Sequence, residues 1–157
     1  MKRFRPWLLP ILCAGALWLI FFAMAKYPAV REASSDPVSR IEGLSLSIEK
    51  PRFSPIKGYT IRYRIEISTD EIYQTADPFE RLEKFENGCW HRLECQKEPV
   101  FSSPFDISGD NAAFDGSFVQ KYDGYGTRLH PGTYRLTLGL TDAAGGSHCL
   151  AAEFEIS

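Results

Sequence analysis

From Ile41 onward, apolar and polar positions alternate with period two. Leu44, Leu46 and Ile48 alternate with Ser45, Ser47 and Glu49, and Tyr59, Ile61, Tyr63, Ile65 and Ile67 alternate with Thr60, Arg62, Arg64, Glu66 and Ser68. Successive side chains of a strand point to opposite faces, so each run predicts a strand with one dry and one wet face. Runs near Phe79–Phe85 and Cys89–Leu93 flank Asn87-Gly88. That dipeptide predicts a hairpin, because both central residues of a type I′ turn need positive φ. A further strand is expected around Ser117–Tyr122. Two more close the chain, Tyr134 to Leu140 and Leu150 to Ile156, joined by the glycine-rich Asp142–Ser147.

No stretch after residue 40 carries a helical stripe of useful length. About seven strands over residues 41–157 match the size and rhythm of an all-β, immunoglobulin-like sandwich. Upstream the pattern differs. Trp7–Ala25 runs without one charged side chain, and at about 1.5 Å per residue a helix of that length approaches the bilayer's hydrocarbon thickness of roughly 30 Å. Trp7 and Tyr27 suit the two membrane interfaces. The segment therefore reads as a transmembrane signal-anchor helix over residues 7–25, preceded by a cytoplasmic basic tip, 1–6. Ala23-Met24-Ala25 also fits signal-peptidase cleavage, which would release a secreted domain; the length of the apolar run favours the uncleaved anchor. Residues 26–40 show neither periodicity and read as a tether to the domain at 41–157.

Charge sharpens this division. The first thirty residues contain no Asp or Glu. Lys2, Arg3 and Arg5 are 3 of the 18 basic residues, so the other 15 face all 20 acidic ones and everything from residue 6 onward carries a formal −5. An acidic domain disfavours nucleic acid as a partner, since phosphate neutralisation needs a basic surface. The basic tip places the amino terminus in the cytoplasm and the domain outside the cell membrane. A content of 44% hydrophobic and 13% aromatic residues is enough for a core and argues against global disorder, while 157 residues are too few for a TIM barrel.

Leu129-His130-Pro131-Gly132-Thr133-Tyr134 leads straight into a strand, as in a tyrosine corner formed by Leu129, Pro131, Gly132 and Tyr134. The run Arg81-Leu82-Glu83-Lys84-Phe85-Glu86-Asn87-Gly88-Cys89-Trp90, followed by Tyr125-Gly126-Thr127-Arg128-Leu129-His130-Pro131-Gly132-Thr133-Tyr134-Arg135-Leu136, resembles bacterial Ig-like domains of membrane-anchored or secreted proteins. The resemblance covers roughly residues 60–157. It departs by one extra residue between Tyr125-Gly126 and Leu129, and by Cys89 before the Trp. It implies a fold and an extracytoplasmic address, and it transfers no active site.

The search for chemistry yields little. Cys89, Cys95 and Cys149 are the cysteines of the domain, and Cys89 and Cys95 are too far apart on one extended strand to bridge. Reduced thiols are expected, with a bridge from Cys149 as the alternative. Cys89, His91 and Cys95 share one strand face, and with His148 and Cys149 they would offer zinc ligands, yet no paired spacing supports a site. Asp106, Asp110, Asn111 and Asp115 lack an EF-hand spacing. No G-x-S-x-G, H-E-x-x-H or P-loop is present, and three histidines form no triad pattern. The expectation is no enzyme, no cofactor and no metal.

What is left is surface. Arg62, Arg64, Glu66, Arg135 and Thr137 are expected on outward strand positions, as a solvated or charged face. Loops on a rigid sandwich are better recognition candidates. Ile72 and Tyr73 sit in the loop 69–78, and Tyr122 and Tyr125 in a second. The long segment 96–116 carries Phe101, Phe105 and Phe114, expected to tuck under it. The sequence reads as a membrane-anchored, extracytoplasmic binding or structural module, with an unknown protein or envelope partner and contact with the membrane through residues 7–25. The alternative is a secreted Ig-like inhibitor or ligand-binding protein freed by cleavage after Ala25.

Overall fold

The computed structural model describes residues 8–24, 27, 29–34, 37–94, 105–109, 113–122 and 125–157. A helix α1 (Leu8–Met24) precedes β1 (Val30–Ala33), β2 (Leu44–Ile48), β3 (Arg52–Ser54), β4 (Gly58–Ile67), β5 (Tyr73–Glu86), β6 (Cys89–Leu93), β7 (Asp106–Ile107), β8 (Ala113–Tyr122), β9 (Tyr125–Gly126), β10 (Gly132–Asp142) and β11 (Ser147–Ile156). The strands form two antiparallel sheets. One has the order β1-β6-β5-β10-β11 with β7 beside β5, and the other β2-β4-β8-β9 with β3 beside β4.

Period-two alternation is the cause of this layering. Ile61, Tyr63, Ile65 and Ile67 of β4 point into the same core as Tyr134, Leu136, Leu138 and Leu140 of β10, and all eight are buried. Burial of each such side chain contributes about 1.5–3 kcal/mol, so the two central strands dominate the stability of the sandwich. The β5–β6 hairpin turns where expected: Asn87 has φ 52° and Gly88 φ 83°. The β10–β11 turn is held by Asp142, whose carboxylate accepts from the backbone N–H of Ala144 at 2.9 Å and of Gly146 at 2.7 Å.

The seven strands expected from the alternation correspond to β2, β4, β5, β6, β8, β10 and β11. Two boundaries differ most. β8 starts at Ala113, and β5 starts at Tyr73 instead of near Phe79. The first part of β5 pairs with the end of β10, Tyr73 opposite Asp142 and Thr75 opposite Leu140, across an irregularity between Leu138 and Leu140. That irregularity, with Asp77-Pro78 in the sequence, interrupts the alternation that would have announced the strand.

The stretch read as a tether is also paired. β1 lies on the outer edge of β6, with Val30 opposite Leu93 and Ala33 opposite His91. Ser34 N–H donates to Trp90 O at 2.7 Å, and Ser39 N–H donates to Cys149 O at 2.8 Å on β11, the other edge of the sheet. A four-residue edge strand with one irregularity leaves no periodic signature.

The amino-terminal segment is helical over Leu8–Met24, 17 residues. At about 1.5 Å per residue these described residues span roughly 26 Å. Among the described residues no helix is long and apolar enough to cross a membrane. The ends of the span expected over residues 7–25, Trp7 and Ala25, lie outside the described residues.

Candidate functional site

Four places bring polar, aromatic or thiol groups together, and each follows from the sheet geometry. The first is the outer face of β2, β4 and β8. Arg62, Arg64 and Glu66 project from alternate positions of β4 and are exposed. Arg64 pairs with Asp115 of β8 at 2.9 Å and Arg62 lies 4.0 Å from Glu49. With Ser47, Ser117 and the Gly116 backbone these residues line an open groove of about 810 Å³. Gly116 has no side chain because the ring of Tyr63, directly opposite, fills the place of a Cβ.

The second is the outer face of the other sheet, and here an expectation is corrected. Arg135 and Thr137 were expected outward beside Arg62 and Arg64. They do point away from the core, since Leu136 and Leu138 between them point into it, but both are buried, at 7% and 3% exposure. Arg135 donates through Nε to Glu83 at 2.5 Å and lies 4.5 Å from the centre of the Trp90 ring. Glu83 is 1% exposed. Trp90 and the segment ending at Ser39 cover this face. Pro37 and Ser39 line a cavity of about 260 Å³ with Arg81, Thr137, Gly139 and Cys149.

The third is a set of side chains able to do chemistry. Cys89 Sγ lies 3.2 Å from His91 Nε2, on the exposed end of β6. His148 Nε2 lies 2.7 Å from Asp142 Oδ2, and this bond holds the Asp142 carboxyl below the usual carboxylate range. His148 also sets its ring edge against Tyr73. Cys89 and Cys13 carry free thiols. Among the described residues no three His, Cys, Asp or Glu side chains converge as ligands for a metal ion. The zinc set is thereby divided: His148 is engaged by Asp142, and Cys95 lies outside the described residues. Of the four residues considered for calcium, Asp106 begins β7 and Asp115 is bound to Arg64, while Asp110 and Asn111 are outside the described residues.

The recognition loops are also redrawn. Tyr73 is no loop-tip residue: it opens β5, is 3% exposed, and donates its hydroxyl to Glu71 at 2.5 Å, which with burial pushes its pKa up to about 12. Only Ile72, 51% exposed, remains outward from that pair. Tyr122 ends β8 and Tyr125 opens β9, opposite each other across the turn; their side chains lie outside what is described. Phe105 and Phe114 pack in a tilted pair, ring centres 5.0 Å apart, against the core, and Phe101 is outside the described residues.

The fourth place is the end of the sandwich that carries Tyr27. Tyr134 is 1% exposed and its hydroxyl donates to His130 O at 2.6 Å, the bond a tyrosine corner makes. Leu129 is buried beneath it, with Pro131 and Gly132 forming the turn. The corner fixes the backbone of His130, and Tyr27 stacks on that imidazole, ring centres 3.8 Å apart and 5° from parallel. Beside them Phe53 packs on Tyr59 at 5.0 Å and Arg128 lies 6.0 Å from the Phe53 ring centre. Gly126 N–H donates to Pro55 O at 3.0 Å, tying the β3–β4 turn to β9. A Cβ at Gly126 would collide with that carbonyl, so only glycine fits there. Sequence reasoning found the corner but not this cluster, because its members come from four separate segments. The one available signal was the absence of acids in 50–65.

No family model matches the chain. No curated protein matches it either.

Proposed function

We propose that the chain is a membrane-anchored, extracytoplasmic Ig-like module that binds or scaffolds and carries no chemistry of its own. One observation carries this reading: a β2-β4-β8 sheet faces a β6-β5-β10-β11 sheet, with a Tyr134–His130 corner at the start of the penultimate strand. That order and that corner are features of Ig-like sandwiches. The reading also draws on how the reactive side chains are occupied. Glu83 is held by Arg135, His148 by Asp142, and Cys89 lies against His91. The basic tip and apolar segment support an anchor with the domain outside, and an unknown protein or envelope component is the partner.

A second reading is a secreted inhibitor or ligand-binding protein released after Ala25. The small-x-small run Ala23-Met24-Ala25, just before that bond, favours it. Amino-terminal sequencing of the mature chain separates the two. A start at Lys26 overturns the anchor, and an intact amino terminus overturns the secreted form. Affinity capture with the anchored chain, followed by competition with soluble candidates, then tests the binding role.

A further inference from the structure

The domain is acidic as a whole, yet residues 50–65 carry Lys50, Arg52, Lys57, Arg62 and Arg64 without one Asp or Glu. Three of these, Lys50, Arg52 and Lys57, flank the β3–β4 turn and are exposed. At the tip of the same turn Ile56 is 64% exposed, and Phe53 beside it is 38% exposed. An apolar tip ringed by cations is the pattern of a surface that meets a membrane interface. The apolar groups enter the headgroup boundary while the cations meet anionic lipid. The acids nearby are engaged elsewhere: Glu49 lies 4.0 Å from Arg62, and Glu86 is paired with Lys84.

Position supports the same occupant. Tyr27 is stacked on His130 at this end of the sandwich. Met24, the last described residue of α1, is three residues from Tyr27, so it lies within about 11 Å of the Tyr27 backbone. Phe53 and Tyr59 form a ring pair, with the Arg128 guanidinium over Phe53. The turn itself is braced, by the Pro55–Gly126 bond and by Ser54 Oγ accepting from Lys57 N–H at 3.3 Å, so it is presented without a large ordering cost.

We infer that the β3–β4 turn, through Phe53, Ile56, Arg52 and Lys57, docks this end of the domain on the anionic lipid surface in which α1 is anchored. The inference rests on the anchored reading above. Docking would hold the sandwich upright against the bilayer and leave the opposite end, with Ile72, facing a partner.

The test uses the full chain reconstituted into phosphatidylcholine vesicles with or without phosphatidylglycerol, and reads two quantities. Flotation after an alkaline wash reports the anchor. Hydrogen–deuterium exchange of residues 52–58 reports docking. The expected result is co-flotation in both lipids, with exchange of 52–58 slowed at least about tenfold in the anionic vesicles; each basic residue near an anionic surface contributes about a fivefold factor. Arg52→Glu with Lys57→Glu should restore the rate seen in neutral lipid, and Ile56→Ser should restore part of it, neither changing flotation. Co-flotation with equal exchange in both lipids overturns the docking and leaves the anchor standing. Protection that follows protein density, not lipid charge, assigns the surface to a second copy and overturns it too. Failure to float overturns both.

Discussion

The two outward faces of this sandwich are written in the same code and meet opposite fates. On β4, Arg62, Arg64 and Glu66 alternate with buried Ile and Tyr and stand in water. On β10, Arg135 and Thr137 alternate with buried leucines, and they are themselves buried. Alternation tells which side chains leave the core, but not whether anything waits on the far side. For β10 something does: Trp90 lies over Arg135, and the segment that carries Pro37 and Ser39 lies along the sheet. A charge on the first face keeps its hydration. A charge on the second has lost it and depends on Glu83.

The largest effect should come from breaking that dependence. Arg135→Ala strands the carboxylate of Glu83, whose Oε1 already has no hydrogen-bond partner among the described residues. Removing one member of a buried pair costs about 3–5 kcal/mol, so chemical denaturation should show a large fall in midpoint. Replacing both, Glu83→Leu with Arg135→Met, should recover most of it, because neither group is then left uncompensated. If the single and double variants fall equally, the pair does not set the energetics of this face.

Uncovering the face should come next. Trp90→Ala removes the ring over Arg135 and opens the pair to water, with an expected loss of about 2–3 kcal/mol. Much of the Arg135→Ala penalty should then disappear in the Trp90→Ala background, since a hydrated Glu83 no longer needs its partner. A double-mutant cycle measures this coupling. Ser34→Pro, which removes the N–H that donates to Trp90 O, tests the contribution of the β1 edge and should cost about 1 kcal/mol.

The difference between the faces also marks what the sequence made legible. The seven longer strands, the Asn87-Gly88 hairpin and the Tyr134 corner are local patterns, set by residues within one turn or one run, and they were readable. The cover over Arg135 is not local. It is made by Pro37 and Ser39, which lie in a stretch without periodicity, and by a Trp whose hairpin position says nothing of the guanidinium it meets. Tyr73 misleads for the same reason: nothing near it in sequence reveals that β10 extends far enough to pair with it. The absence of acids in residues 50–65 is visible in the sequence but was not used, and the place of the Phe53–Ile56 turn beside Tyr27 and His130 depends on contacts between distant segments.

Between the faces lies a polar pair inside the core, and its pH dependence is a finer probe. Tyr63 donates to Glu80 Oε1 at 2.6 Å across the two sheets. Burial raises the Glu80 pKa above its ordinary 4.5, partly opposed by the Tyr63 bond. A carboxyl with a raised folded-state pKa holds its proton more tightly folded than unfolded. Its contribution therefore improves as pH falls through the raised value toward 4.5, and worsens as pH rises. Glu80→Gln keeps an acceptor for Tyr63 and removes the charge. Relative to the parent, the variant should gain stability as pH rises above 4.5. A stability difference that is flat with pH would place the ionisation of Glu80 outside the folding equilibrium.

The smallest effect is expected on the exposed face, and its smallness is the point. Arg64 and Asp115 are 2.9 Å apart, but their side chains are 55% and 67% exposed. Such pairs contribute about 0–1 kcal/mol and are screened by salt, so Arg64→Ala should cost under about 0.5 kcal/mol and less still in 1 M salt. Asp115 keeps its hydration when Arg64 is removed, whereas Glu83 cannot when Arg135 is removed. The ratio of the two Arg→Ala losses is thus a direct measure of what the covering segment does to the second face. A ratio near one, obtained at the same ionic strength, would mean that water reaches Arg135 as freely as it reaches Arg64.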